Sequence, residues 1–255
     1  MLTLLSSIAA ADVPNAPHLP LVPERILMRV SPSIVVVDVM DAYGKSIAQG
    51  SGVVIEADQV VTACHLLREV TGEEKYALVR KSGKTFKATL QYTDPDRGIC
   101  QLNVSHLEAT PIALGSAIKI RAGQHVYAIG FSRGGEPTLS EGIVSNSLPH
   151  GGSQYMLISA TISPPSSGGA LVDDQGRLIG ILSLQSVERQ NLAFALPVEW
   201  AGELANRTQS VQTVMNKDGL SWLNRTMALE KKSDWQALLK LSHQEVKHDP
   251  ANAAA

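Results

Sequence analysis

A chain of 255 residues with 44% apolar and only 18% charged residues holds enough nonpolar mass for a large packed core, which excludes an intrinsically disordered protein. A net charge of −2, without any long run of Lys or Arg, gives no basic stripe for nucleic acid, and no apolar stretch reaches the roughly 18 residues that a membrane-spanning helix needs. Seven histidines lie scattered without ligand spacing and the two cysteines form no Cys-x-x-Cys pair, so no metal and no cofactor is expected.

In chain order, Met1 to Ala11 is an apolar run ending in small residues, which reads as a secretory signal cleaved after Ala11. No Lys or Arg precedes it, so a plain apolar N-terminus is the alternative. Pro14, Pro17 and Pro20 make the following stretch an extended lead-in, and residues 1–20 are set apart from the fold. From Ile34 to Pro197 short β-rich runs alternate with turn residues. The first six are Ile34–Val39, Gly52–Ile55, Val60–Thr62, Tyr76–Arg80, Phe86–Tyr92 and Ile99–Val104. The second six are His125–Ile129, Gly142–Ser145, Met156–Thr161, Gly169–Val172, Leu178–Leu184 and Leu192–Leu196. Past Pro197 the apolar period lengthens to about 3.6 residues, the sign of helices. Residues 206–217 read as a linker, and residues 218–255 as a helical pair in which Ser233 and Gln236 form a capping box. Asp218 to Ala251 is close to the 34-residue period of a tetratricopeptide repeat, which makes this pair a candidate surface for a protein partner; a generic helical hairpin is the alternative.

Two segments carry chemistry. Gly50-Ser51-Gly52 leads into Val60-Val61-Thr62-Ala63-Cys64-His65, a strand that ends by presenting a histidine. About a hundred residues later, Ser163-Pro164-Pro165-Ser166-Ser167-Gly168-Gly169 holds a serine between a tight turn and two glycines, the setting of an acyl-transfer nucleophile. Histidine first and serine last, these motifs resemble the trypsin-like serine peptidases and, among them, the bacterial HtrA-like branch. Gly123-Gln124-His125-Val126-Tyr127-Ala128-Ile129-Gly130, Ser140-Glu141-Gly142-Ile143-Val144-Ser145 and Asn191-Leu192-Ala193-Phe194-Ala195-Leu196-Pro197 resemble further strands of that branch.

The resemblance implies a mainly β fold of two six-stranded antiparallel barrels, followed here by a short α-helical tail. It places a peptidase unit over residues 21–205, with barrels over about 30–107 and 110–198. Ser167 is then the expected nucleophile, His65 the base, and a polypeptide the substrate or ligand. A periplasmic or secreted bacterial location follows from the same comparison and from the signal-like start.

Two positions depart from the family pattern. Gly98 stands where the family carries the triad aspartate, and Pro165 where it carries a glycine whose N–H is half of the oxyanion hole. Proline has no N–H to give. The Ser167 N–H is expected to remain as a donor, with the Ser166 hydroxyl as a possible replacement or simply a surface group. Asp96 is the weak substitute for the missing acid, reachable only through a bulge at Gly98. Cys64 and Cys100 fall on neighbouring strands behind the cleft, where they form either a disulfide or two buried thiols. The specificity wall, expected near Thr161 and Ile181 to Leu184, has no acidic residue.

Overall fold

The computed structural model describes residues 19–41, 43–67, 76–132, 135–150, 153–187, 190–214 and 236. The signal-like start and nearly all of the helical pair over 218–255 lie outside them. No helix among the described residues is long and apolar enough to cross a membrane.

Twelve strands form two closed antiparallel barrels. The first contains β1 (Ile34–Met40), β2 (Ser46–Glu56), β3 (Gln59–Ala63), β4 (Tyr76–Lys81), β5 (Lys84–Asp94) and β6 (Ile99–Asn103), in the spatial order β1-β2-β3-β6-β5-β4. The second contains β7 (His125–Phe131), β8 (Pro137–His150), β9 (Ser153–Ile158), β10 (Ala170–Val172), β11 (Leu178–Val187) and β12 (Gln190–Pro197), in the order β10-β11-β12-β9-β8-β7. This is the trypsin-like two-barrel fold expected from the sequence.

β1 and β7 read as nearly continuous apolar runs because both of their faces are buried. In β1, Val35, Val37 and Val39 join the core of the first barrel, while Ile34 and Val36 join a second core between the barrels. β7 divides in the same way, with Val126 and Ala128 inside the second barrel and Tyr127, Ile129 and Phe131 on the shared seam.

Two helices close the seam. Helix α1 (Pro23–Val30) starts with proline at its first turn and buries Ile26 and Val30, one helical turn apart. The Leu21 N–H donates to Asp174 O at 2.9 Å and the Arg29 guanidinium to Gln175 O at 2.8 Å, which ties this lead-in to the second barrel. Helix α2 (Glu199–Val214) runs on through most of the stretch read from sequence as a linker. It crosses back to the first barrel, where the Thr208 hydroxyl donates to Thr93 O and accepts from Thr93 N–H, both at 3.1 Å. Arg207 pairs with the buried Asp94, and Arg97 pairs with Glu203 while stacking 4.8 Å from the Trp200 ring. Tyr155 packs edge-on against Trp200 at 5.3 Å, and burial first, then the Asp94 carboxylate, pushes its phenol pKa up.

Cys64 and Cys100 are joined, with Cα atoms 5.0 Å apart and a sequence separation of 36. Closing a loop of that length is worth about 4 kcal/mol in the chain-entropy account. Cys64→Ala or Cys100→Ala is therefore expected to lower the unfolding free energy by about 2–4 kcal/mol in urea melts. Dithiothreitol should do the same to the unaltered chain and nothing further to either variant.

Candidate active site at the junction of the barrels

β3 ends at Ala63, and residues Cys64–Leu66 form a 3-10 turn that carries a half-buried His65. The chain turns there because the Cys64 N–H donates to Gly98 O at 2.8 Å. Gly98 thus sits beside the residue that precedes His65. It closes the Pro95–Gly98 turn with φ +75, a left-handed conformation that favours glycine, and its N–H donates to Pro95 O at 3.2 Å. A Cβ added to Gly98 would meet only Leu196 Cδ1, at 4.0 Å.

The bulge considered for Asp96 is not formed. The β5–β6 ladder pairs Tyr92 with Gln101, Thr93 with Cys100 and Asp94 with Ile99 in unbroken register, and its irregularity lies between Leu90 and Tyr92. Asp96 lies on the turn itself, as an exposed residue. The turn is anchored from beneath: Asp94 is 1% exposed, accepts from the Arg97 N–H at 3.3 Å and is held by Arg207, which fixes the turn on α2.

On the second barrel, residues Pro164–Ser166 form a 3-10 turn. The Ser166 N–H donates to Ser163 O at 2.9 Å, the Ser167 N–H to Pro164 O at 3.1 Å and the Gly169 N–H to Ser166 O at 3.0 Å. The Ser167 N–H, expected to be free for an oxyanion, is therefore used within the turn, and Pro165 offers none. Ser166 corrects both of its readings. It is neither a surface group nor aimed at an oxyanion, because it is 6% exposed and its hydroxyl donates to Phe131 O at 3.1 Å. Ser167 is 1% exposed, and its Oγ accepts from the Leu184 N–H at 3.2 Å.

Ser51, in sequence only part of a strand lead-in, links the two barrels. Its N–H donates to Ser167 O at 2.8 Å and its hydroxyl to Pro165 O at 2.7 Å. Its Oγ accepts from the Phe131 N–H at 2.8 Å, and its carbonyl accepts from the Thr62 hydroxyl at 2.7 Å. Gly168 makes this approach possible. A Cβ there would lie 2.0 Å from Ser51 O and 2.3 Å from Thr62 Oγ1, on a residue whose φ is +85.

A cavity of about 450 Å³ adjoins the turn, lined by residues that include Ser159, Thr161, Ile162, Leu184 and Ala193. None of its lining residues is charged. Among the described residues no cluster of His, Cys, Asp or Glu could hold a metal.

Two barrels with a histidine turn on one and a Ser-Gly-Gly turn on the other, joined at one seam, define a chymotrypsin-type peptidase architecture. Residues 50–181 match the trypsin-like peptidase domain, and the chain belongs to that family. Its relatives are of the HtrA/DegP type. Serine protease PepD of Mycobacterium tuberculosis is 29% identical over 255 residues, covering 84% of this chain and 54% of PepD. A protein described as a probable periplasmic serine endoprotease DegP-like, from Pseudomonas fluorescens, is 31% identical over 170 residues, covering 63% of this chain and 35% of the relative. The chain thus spans about half the length of PepD and less of the DegP-like protein. Among solved structures, the HtrA-type protease AlgW with a decapeptide superposes with TM-score 0.62 at 22% identity, covering 74% of this chain and 68% of AlgW; that likeness concerns the fold.

Gly168→Ala, which adds a left-handed penalty to a backbone clash, is expected to lower stability by about 3 kcal/mol or more in urea unfolding. Gly98→Ala, which meets no clash, should lower it by only about 1–2 kcal/mol.

Proposed function

We propose that this chain engages polypeptide segments in the cleft between its barrels and hydrolyses them poorly. Ser167 is the nucleophile and His65 the base of the impaired pair. The observation that carries this reading is the Pro164–Ser167 turn. An oxyanion needs N–H groups aimed at it, yet residue 165 has none and the Ser167 N–H is donated to Pro164 O at 3.1 Å. The hydrogen bond that the Leu184 N–H makes to Ser167 Oγ acts in the same direction, since it stabilises lone-pair density that attack on a carbonyl would use. Gly98 supplies no carboxylate from the position where the family carries the acid that orients the histidine and steadies the imidazolium. In well-studied serine proteases, loss of the acid costs about 10⁴ in turnover and loss of one oxyanion donor about 10² to 10³. Residues that act as a unit do not give multiplicative losses, so the two figures are not combined.

The same turn supports a second reading, in which bound segments are held without any cleavage. The uncharged cavity beside Leu184 suits a small or medium apolar side chain in either case, and gives no counter-charge for Lys or Arg. Export to the periplasm or beyond is part of the proposal, supported by the Cys64–Cys100 bridge, which persists in oxidising compartments, and by the description of the DegP-like relative. Partnering through the helical pair over 218–255 rests on the sequence alone.

Labelling with a fluorophosphonate tests the chemistry, because the probe needs an activated serine and a usable oxyanion site. Little or no labelling of Ser167 is expected in the unaltered chain. Gly98→Asp with Pro165→Gly should raise labelling and casein cleavage together, and either change alone should raise them less. Brisk hydrolysis by the unaltered protein that Ser167→Ala abolishes would overturn the impairment.

A further inference from the structure

We propose that Ser51, a first-barrel residue, is a positioning residue that holds the Pro164–Ser167 turn of the second barrel closed, so that the availability of the Ser167 N–H is set across the junction. The inference rests on hydrogen-bond geometry and stands whether or not the protein hydrolyses peptides.

Proton counting fixes the direction of each bond. The Phe131 N–H can only donate, so Ser51 Oγ accepts it at 2.8 Å and spends its own single proton on Pro165 O at 2.7 Å. Ser166 spends its proton on the carbonyl of the same Phe131. Ser163 Oγ, 3.1 Å from Ser166 Oγ, is then the donor of that pair. Phe131 is thus gripped on its N–H by Ser51 and on its C=O by Ser166, and the turn between them is caught at Ser163, Pro165 and Ser166.

Ser51 is fully buried, and a second bond from its main chain, N–H to Ser167 O at 2.8 Å, brings the far end of the turn to the same strand. Removing the hydroxyl leaves Pro165 O and the Phe131 N–H both without their partner, and buried polar groups left that way are costly. The turn relieves the cost by opening, and opening separates the Ser167 N–H from Pro164 O. Proline at 165 has a different part in this arrangement: it deletes a donor, while the carbonyl that Ser51 holds is one that any residue at 165 would supply.

Amide hydrogen exchange on the full chain, followed by NMR, reads the turn directly. The reference amides are Val104, bonded to Asp58 O in the first barrel, and Val144, bonded to Gln124 O in the second. In Ser51→Ala the Ser167 amide is expected to exchange about tenfold faster relative to Val104 and Val144, the effect of losing one buried hydrogen bond. Thr62→Val removes a buried hydroxyl from the Ser51 carbonyl but spares Ser51 Oγ, and should leave Ser167 in step with the references. In Pro165→Gly, which does not rely on any Ser51 variant folding, Ser167 should keep its protection. Equal acceleration of all three amides in Ser51→Ala, or none at Ser167, overturns the proposal. So does selective loss of Ser167 protection in Thr62→Val, or its loss in Pro165→Gly, which would assign the closed turn to proline.

Discussion

The apolar seam between the barrels is the constraint on which the rest of the molecule depends. Every strand that touches it must bury both faces, and Ile34, Val36, Val53, Val61, Ile99, Ile129, Ala170 and Ile181 do so alongside Trp200 and Leu204 of α2. Polar backbone at such a boundary has to find partners inside the protein. The turn before β10 lies at the rim of the seam, and some of its hydrogen bonds run across it. Ser51 of β2 reaches across it to Pro165 and Ser167, while within the first barrel Thr62 reaches Ser51 and Cys64 reaches Gly98. The geometry of the proposed active site is therefore a property of how two barrels meet.

Much of this was legible in the sequence, for reasons that can be named. Runs such as Ile34-Val35-Val36-Val37 signal strands buried on two sides, and Gly168-Gly169 after a serine signals a turn that other backbone must approach closely. The positions of Gly98 and Pro165 were legible too, because the absence of a carboxylate or an N–H is a fact of residue type. α1 was missed although Pro23 and the Ile26–Val30 spacing were there to be read; eight residues are too few for a periodicity to stand out. α2 was cut short because its apolar stripe narrows after Leu204 and gives way to polar contacts such as Arg207–Asp94 and Thr208–Thr93.

The state of the turn was not legible. The Ser167 N–H donates to Pro164 O within a turn that is also bonded to Ser51, 114 residues from Pro165, and to Phe131, 35 residues from Ser166. No local pattern carries that information. Ser166 shows the same limit, since a serine in a turn reads as a surface group until a neighbouring strand buries it.

The two departures from the family pattern are of different physical kinds. At Gly98 the defect is a missing group in a place with room: the nearest heavy atom to an added Cβ is 4.0 Å away, and aspartate tolerates a left-handed φ better than most side chains. At Pro165 the defect is double, because a donor is absent and the turn that would present the remaining donor is closed by bonds that do not involve the missing N–H. Glycine at 165 would restore the donor and leave those bonds in place. The acid position thus has room for a side chain, whereas the turn at the oxyanion position is bonded to Ser51 of the other barrel as well as to its own residues.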